Sequence, residues 1–164
     1  MITIRKTKNS DIKTLASIYE QTYNAEKTGE FWDTSKAKAL LDFYFNLKTF
    51  IGLTALSDKK ICGAFFSFIK PWWDGKHLAE GELFIHPKYQ NKGIGTQLYL
   101  VMMKTAYKRG CIVHDLRAYK KPATWYKKIG FKRTSLAHLS GQIKEVILLI
   151  NSQNRKIKNR APLS

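Results

Sequence analysis

The sequence has few cysteines, no long apolar run and no leader-like start. Its two cysteines, Cys62 and Cys111, lack the paired spacing of a metal or redox motif, so we expect two buried, reduced thiols. No apolar stretch approaches the roughly eighteen residues that a membrane-spanning helix needs. The N-terminal residues MITIRKTKNSDIK have no apolar core, so we expect no signal peptide and a cytoplasmic location.

Known metal and nucleotide motifs are also absent. The four histidines do not have the spacing of metal ligands, and we expect no metal; they are His77, His86, His114 and His138. The glycine-containing stretch LFIHPKYQNKGIGTQ, residues 83–97, has neither the G-x-G-x-x-G of dinucleotide-binding folds nor the G-K-[ST] of P-loops. These absences exclude the commonest nucleotide-binding motifs.

Acidic residues are scarce in the second half of the chain. The formal net charge is +17, and residues 83–164 contain 17 basic but only 2 acidic residues, whereas residues 1–82 contain 12 and 10. Such a bias indicates an anionic partner for the C-terminal half, and RNA or a ribosomal surface would qualify. A merely solvated, lysine-rich surface is the alternative.

The chain otherwise has the composition of a folded protein, with 44% hydrophobic and 13% aromatic residues. Hydrophobic periodicity and turn signals predict one domain over residues 1–150, in the order β-α-α-β-β-β-α-β-α-β-β. This order indicates a mixed α/β fold with helices flanking a sheet. Asp33 or Thr34 could cap the second helix. SDKK (57–60) and PWWDGK (71–76) predict two hairpin turns, and CIVHDLRAY (111–119) predicts the strand after the third helix. FKRTSLAHL (131–139) and IKEVILLI (143–150) are predicted as the two final strands, and residues 151–164 as a flexible basic tail.

Residues 83–97 predict a strand, a glycine turn and the start of a helix. Pro87 ends the strand because it has no N–H to pair, and Gly93 and Gly95 permit a tight turn and close backbone approach. The first amides of a helix have no partner within the helix, and the helix dipole adds positive charge, so this turn predicts a phosphate site. Lys88 and Lys92 could add direct charge. A plain turn is the alternative.

Besides the turn QNKGIG (90–95), the chain contains the element WYKKIGF (125–131) and the N-terminal segment IRKTKNSDIKTL (4–15). Together these three segments resemble the GCN5-related N-acetyltransferase (GNAT) superfamily. The resemblance covers about residues 2–150. It implies a mixed, mostly antiparallel sheet of about six or seven strands flanked by about four helices. It also implies transfer of an acetyl group from acetyl-coenzyme A to a primary amine, by direct attack in a ternary complex and without a metal.

The resemblance further implies roles for individual residues. Backbone amides of the turn would bind the pyrophosphate of acetyl-coenzyme A, and they belong to Gln90, Asn91, Lys92, Gly93, Ile94, Gly95 and Thr96. The backbone of the preceding strand, Leu83, Phe84 and Ile85, would pair with the pantetheine arm. Tyr126 would protonate the departing thiolate, the alternative being a half-buried aromatic residue. Family members usually carry an Asn six or seven residues before this Tyr; Tyr119, Lys120 and Lys121 stand there instead, and a lysine could contact the coenzyme phosphates.

Acetyl transfer also needs a group that accepts a proton from the amine, which a carboxylate can do. Glu80 and Glu82 stand at i and i+2 of a predicted central strand, so we expect their side chains on one side. We rank Glu82 first as this base, then Glu80, then Asp115 in the following strand.

The resemblance implies that the acceptor enters opposite the coenzyme. Its site is lined by the segment that connects the first two helices and by the hairpin of the third and fourth strands. Those segments contain Glu30, Phe31, Trp32, Trp72 and Trp73, with Glu26, Asp33 and Asp74 nearby. Aromatic and acidic side chains together favour a cationic amine: a polyamine, an aminoglycoside-like compound or a peptide amino terminus. Alternatively, Trp72 and Trp73 simply cover the edge of the sheet.

Two rival functions remain open at this point. The protein could be an RNA- or ribosome-associated acetyltransferase, or a non-catalytic nucleic-acid-binding module that uses its basic half. The glycine turn and Tyr126, which a binding module does not need, favour the enzyme. The acceptor stays open, as does the oligomeric state, since dimers are common in the superfamily.

Overall fold

The computed structural model describes residues 1–26, 29–134 and 142–147. The chain divides into two compact units, Met1–Pro122 and Ala123–Ser164. The predicted tail, 151–164, lies outside the described residues, and the single domain over 1–150 stays a prediction. No helix in the described ranges is long and apolar enough to cross a membrane.

The first unit is built on a sheet of five strands in sequential order. They are β1 (Ile2–Lys6), β2 (Phe50–Ser57), β3 (Lys60–Trp72), β4 (Gly75–Ile85) and β5 (Cys111–Asp115). The first three pairs are antiparallel and only β4 and β5 run parallel. Both predicted hairpins are confirmed: Asp58 and Lys59 adopt positive φ in the first turn, as tight two-residue hairpin turns require, and the second turn ends at Gly75.

Helices pack on both faces of this sheet. They are α1 (Ile12–Ala25), α2 (Thr34–Phe45) and α3 (Ile94–Lys108). A further helix, α4 (Lys120–Lys128), runs from the first unit into the second. Of the two cap candidates Asp33 and Thr34, Asp33 caps α2: its carboxylate accepts the Lys36 N–H at 2.8 Å. Neighbouring residues of a strand point to opposite faces: Phe66 joins the core beneath α1 and α2, whereas Phe65 stacks on Tyr99 of α3.

Strand β4 contains a bulge that shapes its central residues. One residue of β3, Ser67, lies opposite two of β4, Glu80 and Gly81, and both of these have positive φ, 49° and 136°. The Ser67 hydroxyl donates to the carbonyl of Ala79 at 2.9 Å and holds the bulge in place. A positive φ is costly for a residue with a side chain, so Glu80 sits in a strained conformation.

The bulge also decides where the two glutamates of β4 point. A Cβ atom on Gly81 would lie 2.8 Å from the Phe65 ring, so residue 81 faces α3 and only glycine fits there. Its neighbours Glu80 and Glu82 therefore face α1 and α2. The expectation that both carboxylates lie on one side agrees with this arrangement.

The two predicted C-terminal strands are not strands where the structure describes them. IKEVILLI is wrong as a strand where it is described: residues 143–147 are helical, and the Val146 N–H donates to Gln142 at 3.0 Å. Ile143, Val146 and Ile147 recur at helical spacing, and so short an apolar run suits either structure. Of FKRTSLAHL, residues 131–134 have no regular structure and 135–139 lie outside the described residues. The described sheet therefore has five strands, not six or seven.

Strand β5 is shorter than CIVHDLRAY predicted, and ends at Asp115. Its last pair with β4 is Ala79 with Asp115, immediately before the bulge. Because the bulge redirects β4, the parallel ladder cannot continue. The two cysteines are buried free thiols, as predicted.

Candidate active site

The carboxylate of Glu82 is held by two tyrosines of α1. Oε2 of Glu82 accepts hydrogen bonds from the hydroxyls of Tyr19 at 3.0 Å and Tyr23 at 2.8 Å. The two tyrosines lie four residues apart, one turn of helix, and their rings stack with centroids 4.3 Å apart. Tyr19 also meets the ring of Phe84 edge-on, so packing fixes the position of its hydroxyl.

This environment raises the pKa of Glu82. Burial is the largest cause; the hydrogen bonds from Tyr23 and Tyr19 lower the pKa, and the charges of Glu30 and Glu80 raise it further. Burial and the neighbouring Glu82 charge raise the pKa of both tyrosines, so they remain hydrogen-bond donors. A half-buried carboxylate of raised pKa is a stronger base than an exposed one, which suits it to accept a proton.

Both the backbone and the side chain of Glu80 have hydrogen-bond partners. Arg117 donates to its carboxylate at 2.7 Å, and His114 Nε2 donates to its carbonyl at 3.0 Å. Burial lowers the pKa of His114, so the ring is neutral and its Nδ1 accepts from the Tyr99 hydroxyl at 2.8 Å. Residues of β5, of α3 and of the segment after β5 thus all hold the bulge.

Glu30 and Trp32, predicted on the acceptor side, reach the same place from the segment between α1 and α2. The indole N–H of Trp32 donates to Glu30 at 2.7 Å, and its ring meets Tyr19 edge-on. Asn24 anchors the backbone of Trp32 with two hydrogen bonds, of 2.8 and 3.0 Å. The hydroxyl of Tyr119 also donates to Glu30. Three carboxylates, those of Glu30, Glu80 and Glu82, therefore interact here.

Asp115, the third candidate base, belongs to a second group of charged side chains, together with His77, Lys70 and Asp74. Its carboxylate lies 2.7 Å from Nδ1 of His77 and 3.2 Å from Nζ of Lys70. Although burial raises the pKa of Asp115, the hydrogen bonds from His77 and Lys70 outweigh it and lower the pKa. The other ring nitrogen of His77 lies 2.7 Å from Asp74, so the buried imidazole is an imidazolium between two carboxylates.

The remaining predicted acceptor residues are exposed. Trp72 lies beside this second group, with Nζ of Lys70 4.4 Å from its ring centroid. Trp73 and Phe31 expose 88% and 82% of their surface. The structure thus brings Glu30 and Trp32 to Glu82, and places Trp72 beside His77 instead.

The glycine turn forms the start of α3. Gly93 has φ of 76° and caps the helix, and no acidic residue lies in its first turn. Among the described residues, the amides of 91–93 donate to no backbone carbonyl, and the first three amides of α3 have no acceptor within the helix. A Cβ on Gly93 would meet nothing within 4 Å, and one on Gly95 only Ile85 at 3.9 Å. The space beside both glycines is therefore open, as close approach of an anion requires.

The end of β4, Leu83–Ile85, leads into this turn. It pairs with β3 on one side, whereas the ladder with β5 has already ended at Ala79. Gln90 connects strand and turn, because its side-chain amide donates to the Ile85 carbonyl at 3.0 Å. Nζ of Lys92 lies 5.5 Å from the ring centroid of Tyr89.

Tyr126 lies in the second unit. Its half-buried ring packs edge-on against Trp125 and Phe131, with centroids 5.0 and 5.4 Å away. Gly130 has φ of 103°, which lets the chain turn back so that Phe131 donates its N–H to the Tyr126 carbonyl at 3.1 Å. The WYKKIGF element is therefore a helix end closed on itself.

Sequence reasoning missed several residues of this site, and Tyr19, which holds Glu82, is one of them. Tyr23 continues the apolar face of α1 one turn beyond Tyr19, and that spacing could have revealed it. Arg117 and His114 had no signal, because their contacts depend on the bulge. Asn24 also had none. No three His, Cys, Asp or Glu side chains of the described residues converge to hold a metal.

Solved structures with the same fold include several acetyltransferases. A predicted acetyltransferase from Clostridium acetobutylicum, solved with acetyl-CoA, has a TM-score of 0.70 at 19% identity, covering 88% of this chain and 98% of that one. An aminoglycoside acetyltransferase from an uncultured soil sample has 0.65 at 19%, covering 87% and 99%. A transcriptional regulator from Bacillus halodurans has 0.70 at 21%, covering 87% and 100%. At these identities the likeness shows the fold alone, and confirms the predicted fold class.

The family follows from the sequence match. No curated protein sequence matches the chain. A family model described as an acetyltransferase (GNAT) domain matches residues 49–133, a range that includes β2 to β5, the glycine turn and WYKKIGF. This range is more than half of the chain, which therefore belongs to the GNAT acetyltransferase family and is a GNAT-type N-acetyltransferase.

Proposed function

We propose that the protein transfers the acetyl group of acetyl-coenzyme A to a primary amine of a cationic acceptor, by direct attack in a ternary complex. One observation carries the proposal: Glu82, a half-buried carboxylate of raised pKa held by two tyrosines, lies on the strand that leads into the glycine turn. The base and the anion site are thus set by one continuous segment.

The turn fits the coenzyme's pyrophosphate. The amides of residues 90–96 would bind it, and the open space beside Gly93 and Gly95 leaves room for close approach. The β4 backbone at Leu83–Ile85, beyond the last pair with β5, would hold the pantetheine arm. Lys88 and Lys92 would add positive charge near the phosphates.

The chain's own residues would then handle protons. Bound acetyl-coenzyme A supplies an activated acetyl group as its thioester. Glu82 would accept the proton that the amine loses as it attacks, while Tyr19 and Tyr23 keep the carboxylate oriented through their hydrogen bonds. Tyr126 would return a proton to the departing thiolate, a role that rests on its place in the WYKKIGF element.

The acceptor side has the chemistry of a cation site. Glu30 and Trp32 place a carboxylate and an indole ring beside the tyrosines that hold Glu82, and such rings attract ammonium groups. Phe31, Trp72 and Trp73 would border a longer acceptor. Glu82 keeps its place ahead of Glu80 and Asp115 as the base, because burial raises its pKa, whereas the pKa of Asp115 is lowered and Glu80 pairs with Arg117.

Calorimetric titration with acetyl-coenzyme A tests the coenzyme site. Gly95→Glu places a carboxylate where phosphate would bind and is expected to abolish binding. Gly95→Ala is the matched control: its Cβ would make only an ordinary contact with Ile85, so binding is retained. Equal binding by both variants would place the coenzyme elsewhere.

Amine turnover, followed by release of the free thiol, tests the chemistry. Glu82→Gln is expected to lower kcat about 100-fold or more, the usual contribution of a general base, with coenzyme binding unchanged. Tyr126→Phe should lower kcat without changing the pH at which the base titrates. Full activity of Glu82→Gln would refute the assignment. A contact with RNA or a ribosome, a homodimer and a cytoplasmic location stay predictions from the sequence.

A further inference from the structure

A positively charged side chain of the protein, that of Arg117, lies on the acceptor side of the site. Nη2 of Arg117 lies 2.7 Å from Oε2 of Glu80, and Glu80 faces the same side as Glu82. The guanidinium comes from the segment after β5, which is tied a second time by the Tyr119 hydroxyl on Glu30. Two carboxylates beside Glu82 are thus contacted by one short segment.

The ion pair has the properties of an exchangeable contact. The side chains of Arg117 and Glu80 expose 60% and 48% of their surface, and exposed pairs of this kind are weak because water screens them. A positive charge arriving from solution can therefore compete with Arg117 for the Glu80 carboxylate. Glu80 itself cannot move away, because Ser67 and His114 hold its carbonyl.

We propose that Arg117 determines acceptor specificity: its guanidinium takes, on Glu80, the position that a second positive charge of the acceptor occupies when it binds. The acceptor class is then an amine that carries at least two positive charges, one amine reacting at Glu82 and the other pairing with Glu80. This inference rests on the proposed function and narrows its acceptor.

The local charge favours a cationic over an anionic second group. Among the described residues, the carboxylates of Glu30, Glu80 and Glu82 lie around the guanidinium of Arg117, in a protein whose formal net charge is +17. An anionic group paired with Arg117 would lie among these carboxylates and be repelled by them. A cation on Glu80 instead meets an excess of negative charge and the ring of Trp32.

Calorimetric titration with three probes of equal chain length tests the inference: 1,4-diaminobutane, butylamine and 4-aminobutanoate. The titrations contain no coenzyme. A failure to bind coenzyme in the separate titration would therefore refute the proposed function but leave the amine results interpretable. The proteins are the wild type, Arg117→Gln and Glu80→Gln. Lys38→Gln, which removes a charge from an exposed pair with Asp42, controls for net charge.

The expected result is tighter binding of the diamine than of butylamine by the wild type. Arg117→Gln should tighten diamine binding about two- to fivefold, the strength of an exposed pair, and leave butylamine unchanged. Glu80→Gln should remove the preference for the diamine, and Lys38→Gln should behave as the wild type.

Three results would overturn the inference. The first is equal affinity for diamine and butylamine in every protein. The second is the absence of diamine binding to Arg117→Gln. The third is preferential binding of 4-aminobutanoate that is lost in Arg117→Gln, which would show that Arg117 binds an anionic group of the acceptor.

Discussion

Replacing Glu80 by glycine is expected to give a more stable protein than replacing it by alanine. Both changes remove the carboxylate and its pair with Arg117, so they differ only in the backbone. Glu80 has φ of 49°, a conformation that strains alanine but not glycine. The comparison therefore isolates the cost of the bulge from the loss of the ion pair.

The magnitude follows from two opposing costs. Left-handed backbone costs a residue with a Cβ about 1–2 kcal/mol. Glycine loses more chain entropy on folding, about 0.5–1 kcal/mol in an ordinary strand or helix. The difference favours Glu80→Gly over Glu80→Ala by about 1 kcal/mol, measured as the free energy of unfolding in urea.

The matched control is Thr3, an exposed residue of β1 whose φ is not positive. There the order should reverse, with Thr3→Gly about 0.5–1 kcal/mol less stable than Thr3→Ala. Should glycine be the less stable replacement at both positions, the strained bulge is not present and the reasoning about Glu80 fails. Both Glu80 variants should also lose the preference for the diamine.

The remaining predictions concern pH. Tyr23→Phe removes a hydrogen bond that lowers the pKa of Glu82, so the acid limb of the pH profile of kcat/KM should move to higher pH. Tyr107→Phe, on an exposed residue of α3, is the control and should leave the limb in place. An acid limb that does not move in Tyr23→Phe would contradict the role of Glu82. Asp115 and then Asp74 raise the pKa of His77 above 6.5. The stability from that charge is therefore complete below pH 6.5 and is lost as pH rises through the folded-state pKa. His77→Gln should lower the free energy of unfolding more at pH 6 than at pH 9, and equal losses would argue against an imidazolium.

Local signals made much of the fold predictable. The Asp33 cap, the hairpin turn at Asp58 and Lys59, and the glycine turn at the start of α3 depend on residues within one short segment. Each needs a particular residue type for a steric or hydrogen-bonding reason, so single-sequence reasoning finds it. Glu80 and Glu82 were both proposed as base candidates for a similar reason, their alternation along a central strand, and the ranking of Glu82 first stays a prediction.

The contacts that build the site were less predictable because they join distant segments. Glu30 and Tyr119 are 89 residues apart, and no local pattern of either one indicates the other. The bulge depends on Ser67 of a neighbouring strand, and it also ends the parallel ladder that CIVHDLRAY was expected to continue. The spacing of the apolar residues in IKEVILLI fits both the helical and the strand period, so only tertiary packing could decide between helix and strand.

Because of the bulge, the number of residues in β4 determines which of its side chains face the acceptor. Ala79 and Glu82 pair with Phe68 and Phe66 of β3, and only Ser67 lies between those two partners. If β4 lost one residue between Ala79 and Glu82, its residue opposite Ser67 would point toward α3. A homologue with that deletion could keep both glutamates in its sequence and still have just one of them facing the acceptor. Alignments across this strand therefore have to count residues, not only match them.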